Sequence, residues 1–259
     1  MRGRSALAAL LAASAFASAS AHAAAPVSLR ASFARGARLG RTSPLNVALH
    51  VDARRERTPV VAVRLAYPNG LGLVLSGLGL APCEPPASAF AAVLIAGSGL
   101  GGCPQNSVMA YGTVRAQVRL LQTSQVIREY ATLMVLSGPI ANGQLQLVVY
   151  IDGERPFGGR FLLPGETADA RAPYGGALAV RFPAVPGLDE VATVSLTDLR
   201  LSIGAPQIVY RDHGRRYRPG GIGVPAACPP TGFPFGLSLR FRDGHQDNAR
   251  TIIPCPPQQ

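Results

Sequence analysis

Apolar residues recur at every second position through much of this chain. In Leu45–Asp52, the residues Leu45, Val47, Leu49 and Val51 share one face. In Val60–Tyr67, the residues Val61, Val63, Leu65 and Tyr67 lie on one side and Arg64 on the other. Between Ala110 and Leu120, Val114, Ala116, Val118 and Leu120 oppose Thr113, Arg115, Gln117 and Arg119. A period of two with polar partners predicts strands of a sheet with one wet face. Similar runs follow at Val126–Gly138, Gly143–Gly153, Gly159–Gly165, Gly175–Pro183, Glu190–Gly204 and Phe235–Gly244. The pattern predicts about nine to eleven strands. Pro85–Gly97 is the one helical candidate, because two prolines suit a first turn and alanines follow.

Turn chemistry separates the runs. The 29 glycines and 23 prolines fall between them, which is how many short strands are punctuated. Asn142-Gly143 between two β-rich runs predicts a tight hairpin. Asp243–Asn248, "DGHQDN", is also turn chemistry. The Arg-rich stretch Tyr210–Gly221 is expected to be a mobile excursion. Together these features predict an all-β fold, an antiparallel two-sheet sandwich (a jelly roll is one variant) with one short helix. Residues 24–259 are expected to form a single domain, with a subdivision near Gly138 left open.

The N-terminus alters the picture of where this fold forms. Arg2 and Arg4 precede an apolar stretch from Ala6 to Ala17, and Ala21-His22-Ala23 is a small-x-small cleavage signal. That anatomy predicts a secretory signal peptide over residues 1–23. The apolar stretch is shorter than the roughly 20 residues that span a bilayer. No later run is long and uninterrupted enough to do so, and a free secreted protein, extracellular or in the cell envelope, is expected.

Four cysteines remain: Cys83, Cys103, Cys228 and Cys255. An even count in a secreted chain predicts two disulfides. Three pairings are open, and proximity favours Cys83–Cys103 with Cys228–Cys255. Each loop closed this way stabilises by about 3 kcal/mol in the chain-entropy model. Their spacing lacks the close pairs of a zinc site. Phe235, Leu237, Leu239 and Phe241 alternate with Ser238, Arg240 and Arg242 between the last two cysteines, so this segment is expected to be a hairpin stapled at its base.

Two stretches carry a resemblance: "CPQNSVMAYGTVRAQV" from Cys103, and "CPPTGFPFGLSLRFRDG" from Cys228 with its closing Cys-Pro. They resemble motifs of a family of secreted β-rich proteins from high-GC Gram-positive (actinobacterial) bacteria. The resemblance covers most of Cys83–Pro256. It implies secretion and disulfides, and no activity, substrate or cofactor. The chain departs from the pattern at Tyr111-Gly112, where the family places a glycine nearer the serine.

Charge adds little specificity. The formal net charge is +11, and all 25 basic residues are arginine. They are scattered, which argues against specific nucleic-acid recognition and for weak attraction to anionic polymers. The exception is the crowd of Arg211, Arg215, Arg216 and Arg218 beside Tyr210 and Tyr217. Guanidinium groups next to aromatic faces suit an anionic polymer of a cell wall. Catalytic arrangements are weaker. Asp212-His213 or Asp243-Gly244-His245 would supply a base and acid with Ser107 as nucleophile, but no Gly-x-Ser-x-Gly elbow is present. Asp189-Glu190 and Glu129 are poor candidates for paired carboxylates. "GSGLGG" at Gly97–Gly102 has no following lysine, which excludes a Walker-type nucleotide site. No catalytic residue, cofactor or metal is assigned. The expected function is a non-enzymatic extracellular or envelope-associated β-domain, and the runner-up is a secreted hydrolase acting on carbohydrate or ester.

Overall fold

The computed structural model describes residues 26–55, 58–73, 81–91, 103–155, 159–182, 188–218 and 220–256. Residues 1–23, read as a signal peptide, lie outside them. Sixteen strands are described: β1 (Val27–Phe33), β2 (Thr42–Ser43), β3 (Leu45–Val51), β4 (Val60–Pro68), β5 (Gly72–Leu73), β6 (Val108–Leu120), β7 (Val126–Ala141) and β8 (Gln144–Arg155). They continue with β9 (Arg160–Ala168), β10 (Tyr174–Arg181), β11 (Ala192–Ile203), β12 (Tyr210–Asp212), β13 (Arg215–Tyr217), β14 (Ile222–Gly223), β15 (Phe233–Phe241) and β16 (Gln246–Ile253).

Eleven of these form one continuous sheet in the order β1-β3-β11-β6-β7-β8-β9-β10-β4-β15-β16. Every neighbouring pair is antiparallel. The two end strands, β1 and β16, pack against each other, so the sheet curls into a nearly closed barrel. Ten reversals along eleven strands leave these two edges running the same way, since an odd number of strands cannot close antiparallel.

The expected all-β antiparallel character is therefore present, but one curled sheet stands where two stacked sheets were expected. The reason is physical. Alternation specifies which face of a strand is buried, and that face is equally satisfied by a second sheet or by the same sheet returning on itself.

The inward face carries the apolar sets. Leu45, Val47, Leu49 and Val51 of β3 meet Phe233, Phe235, Leu237, Leu239 and Phe241 of β15 in the main core. Leu133, Val149 and Leu163 extend it beneath β7–β9. The outward face carries polar side chains such as Arg30, His50, Arg115, Arg200, Arg240 and Arg250, all exposed. Apolar inside and polar outside is the reverse of a lipid-facing barrel. Among the described residues no helix is long and apolar enough to cross a membrane.

Part of the outer face is covered. Val108, Leu136, Val148, Tyr150 and Leu162 point outward from β6–β9, yet they are buried beneath a second apolar cluster containing Cys83, Ala205, Ile208 and Tyr210. One cover is the segment 81–91, which ends in a 3-10 turn at Ala87–Ala91 and packs on β9. The Cys83 N–H donates to the Ser137 carbonyl at 2.8 Å, and Cys83 is joined to Cys103. The helix expected over Pro85–Gly97 is this 3-10 turn in its described part; residues 92–97 lie outside the described residues. A four-residue helix not expected from the sequence, α1 (Leu188–Val191), precedes β11.

One expected turn and one expected stapled hairpin form as read, whereas of the turn expected over Asp243–Asn248 only Asp243–His245 lies between strands, Gln246–Asn248 opening β16. Asn142 and Gly143, both at positive φ (53° and 75°), link β7 to β8, as a two-residue hairpin of this hand requires. Cys228–Cys255 closes the β15–β16 hairpin at its base. Gly138 lies inside β7, and the main sheet takes strands from both sides of it.

Candidate functional site

The Arg-rich stretch expected to be a mobile excursion is a docked hairpin. β12 and β13 pair with Tyr210 opposite Tyr217, Arg211 opposite Arg216 and Asp212 opposite Arg215. His213 and Gly214 form the turn at φ 45° and 77°, the same left-handed pair seen at Asn142-Gly143. Tyr210 anchors the ribbon. Its ring is fully buried, its hydroxyl donates to the Val108 carbonyl at 2.5 Å, and burial pushes its pKa up to about 12. Tyr217 packs against Tyr210 with ring centroids 5.9 Å apart. The Asn106 side chain clamps the backbone of Arg211, donating to its carbonyl at 3.0 Å and accepting its N–H at 3.4 Å.

Alternation along this ribbon sorts the candidate residues. Tyr210 and Tyr217 turn toward the covered cluster, Tyr210 fully buried and Tyr217 partly buried against it. Arg211 and Arg216 turn outward, directly opposite one another and exposed. Arg215 and Arg218 are exposed beside them. Among the described residues no carboxylate pairs with Arg211 or Arg216. Like charges facing each other across a ladder are unfavourable, and an anion placed between them relieves that repulsion.

Among the described residues the catalytic arrangements considered from the sequence do not assemble; the Asp212 side chain lies outside them. Ser107 is fully buried, and its hydroxyl donates to the Pro104 carbonyl at 2.6 Å. His213 sits at the hairpin tip. His245 turns back on its own loop: its ring nitrogen lies 2.5 Å from Asp243 Oδ1, and it stacks on Phe241 at 4.2 Å. Asp189 accepts from Arg242 at 2.8 Å.

The structure instead aligns residues that the sequence reading passed over. Ser28, His50, Asp198, Arg115 and Tyr130 are register partners across β1, β3, β11, β6 and β7, all on the outer face. His50 Nδ1 donates to Asp198 Oδ1 at 3.0 Å, and Arg115 lies over the Tyr130 ring at 5.4 Å. An open groove of about 260 Å³ runs beside this row, lined by Asp52, Arg128 and Glu129 among others. The Ser28 hydroxyl makes no hydrogen bond to His50.

A bulge creates this alignment. The β6–β11 register shifts between Leu196 and Asp198, leaving Thr197 extra, and Thr197 donates to the Arg115 carbonyl at 3.0 Å. Leu196 and Leu199 consequently both face the core, and Asp198 faces out beside His50. The signal was present in the sequence, because apolar positions run 194, 196 and then 199, 201, 203; a change of phase within a strand marks a bulge.

Comparison of this chain with family models, with curated proteins and with solved structures finds no match.

Proposed function

We propose that this chain is a secreted, non-enzymatic β-barrel of the extracellular space or cell envelope that contacts anionic polymer through the β12–β13 hairpin. Export accords with two disulfides, which persist outside the reducing cytoplasm. The observation that carries the reading is the outward Arg211–Arg216 pair on a ribbon whose opposite face is buried. Guanidinium forks grip phosphate and carboxylate in two-point fashion. Anchoring by Tyr210 and Asn106 means that little order has to be gained on binding, so less interaction energy is lost to entropy.

The test is retention of the full chain on immobilised polyglutamate and on wall teichoic acid across a salt series. Arg211→Gln with Arg216→Gln is expected to weaken binding at least tenfold. Arg30→Gln with Arg250→Gln removes the same charge from exposed positions on β1 and β16, and is expected to leave most of the affinity. Equal losses in both pairs would show net charge at work and overturn the hairpin as a site.

A second reading rests on the row Ser28–His50–Asp198. With His50 Nδ1 committed to Asp198, its Nε2 is the nitrogen available to take a proton, and Ser28 is the neighbouring hydroxyl. This is the composition of an acyl-transfer triad, and the missing Ser28–His50 hydrogen bond places it second. Labelling of the purified chain by a fluorophosphonate, lost in Ser28→Ala, would support a hydrolase; no labelling excludes this one.

A further inference from the structure

One end of the barrel is hollow. Inward side chains at strand ends, Leu45, Leu65, Leu145, Leu178, Ile203 and Phe235, surround a cavity of about 230 Å³. Gly72 and Ile222, from the small sheet β2-β14-β5, complete it. It opens to solvent past the exposed Gly72, so it is a pocket in the barrel mouth and not a sealed interior void. Two features keep it open. At Gly72 a side chain would meet nothing within 4 Å. At Gly176, opposite Tyr67 in the β4–β10 ladder, a Cβ would lie 2.3 Å from the Tyr67 hydroxyl, so the missing side chain lets the tyrosine ring lie along the wall.

The polar groups in this cavity are few and of one kind. Tyr67 and Thr167 line it, and none of the described lining residues is charged; the Asp169 carboxylate acts on the Tyr67 hydroxyl from nearby. The Thr167 hydroxyl oxygen accepts the Leu145 N–H at 2.9 Å, which leaves its own hydrogen to donate. The Tyr67 hydroxyl has no hydrogen-bond partner among the described residues, and burial, with the Asp169 carboxylate nearby, raises its pKa above the ordinary value, so it is a neutral donor. Two O–H donors in an apolar chamber match a ligand with an acceptor and no charge. The volume exceeds that of a cavity that holds benzene and falls below that of drug-sized sites, which suits roughly ten non-hydrogen atoms.

We propose that the barrel mouth lined by Tyr67, Thr167 and Leu178 is a binding site for a small neutral apolar molecule carrying a carbonyl or hydroxyl oxygen. This site is separate from the Arg211–Arg216 surface and independent of its fate. The mouth of a barrel is a place where such sites recur.

The experiment titrates full chain, with leucine and isoleucine methyls labelled, with 2-alkanones of four to twelve carbons, and with octanoate as the charged counterpart. The expected result is saturable shifts confined to Leu45, Leu145, Leu178 and Ile203. Affinity rises with chain length and then stops once the chamber is full, and octanoate binds at least tenfold more weakly at neutral pH. Tyr67→Phe weakens the ketone severalfold and leaves toluene unchanged. Leu178→Trp or Gly72→Leu, which fill the chamber from the wall and from the rim, reduce ketone affinity at least tenfold; whichever variant retains the wild-type methyl spectrum elsewhere decides. No saturable binding by any ketone, or binding indifferent to a folded filling variant, overturns the site.

Discussion

The Tyr210 hydroxyl donates to the Val108 carbonyl across 2.5 Å, joining the Arg-rich hairpin to the first residue of β6 from a position of complete burial. Tyr210→Phe keeps the ring and removes the donor. Loss of one buried hydrogen bond is expected to cost about 1–3 kcal/mol, read as a lower urea midpoint with an unchanged slope. Amide exchange at Arg211–Tyr217 is expected to speed up before that of the barrel strands.

The same hydroxyl sets an alkaline limit. Burial pushes the Tyr210 pKa up to about 12 from an ordinary value of 10.0. Between those values the unfolded chain gives up this proton while the folded chain holds it. Stability from this group is therefore complete below pH 10 and falls as pH rises toward 12. Urea midpoints measured across that window are expected to fall less steeply in Tyr210→Phe.

Acid acts through a different pair. The His245 ring bonded to Asp243 holds that carboxyl below its ordinary value of 3.8. A lowered pKa stabilises the fold above the ordinary carboxylate value, and the contribution is lost as pH falls through the lowered one. In His245→Leu the Asp243 carboxyl carbon is expected to titrate closer to an ordinary aspartate by NMR.

Gly112 should tolerate no side chain. A Cβ there would lie 2.2 Å from the Arg200 carbonyl oxygen, in the ladder where Gly112 pairs with Leu201. Gly112→Ala is expected to destabilise by more than about 2 kcal/mol, because backbone rather than a flexible tip must move. Gly72→Ala, into open space, is expected to stay within about 0.5 kcal/mol, and the thermal midpoints of the two variants give the comparison.

Removing the terminal staple tests its energetic role. Cys228→Ser with Cys255→Ser opens a loop of sequence separation 27 and is expected to lower stability by about 3 kcal/mol. The β15–β16 register should survive, because the alternation from Phe233 to Phe241 is buried in the core, as methyl and amide shifts of that hairpin would report.

Local physics was legible in the chain. The inward sets of β3 and β15, the Asn142-Gly143 turn and the terminal hairpin all follow from period-two patterning and turn residues, which act over a few positions. The Arg hairpin was half legible. His213-Gly214 is a turn signal of the same kind as Asn142-Gly143, but three-residue strands rich in charge carry too little alternation to announce themselves. The Ser28–His50–Asp198 row was not legible, because it joins residues up to 170 positions apart through register, and register depends on a bulge at Thr197.

What the sequence by itself determined, then, is a set of strands with a dry and a wet side, punctuated by glycine and proline and tied by neighbouring cysteines. Tertiary structure decided that the sheet curls round to meet its own edge, because burying an apolar face says nothing about what buries it. It also decided which arginines look outward, which tyrosine looks inward, and that a chamber remains at one end, since each depends on how strands from distant parts of the chain are brought side by side.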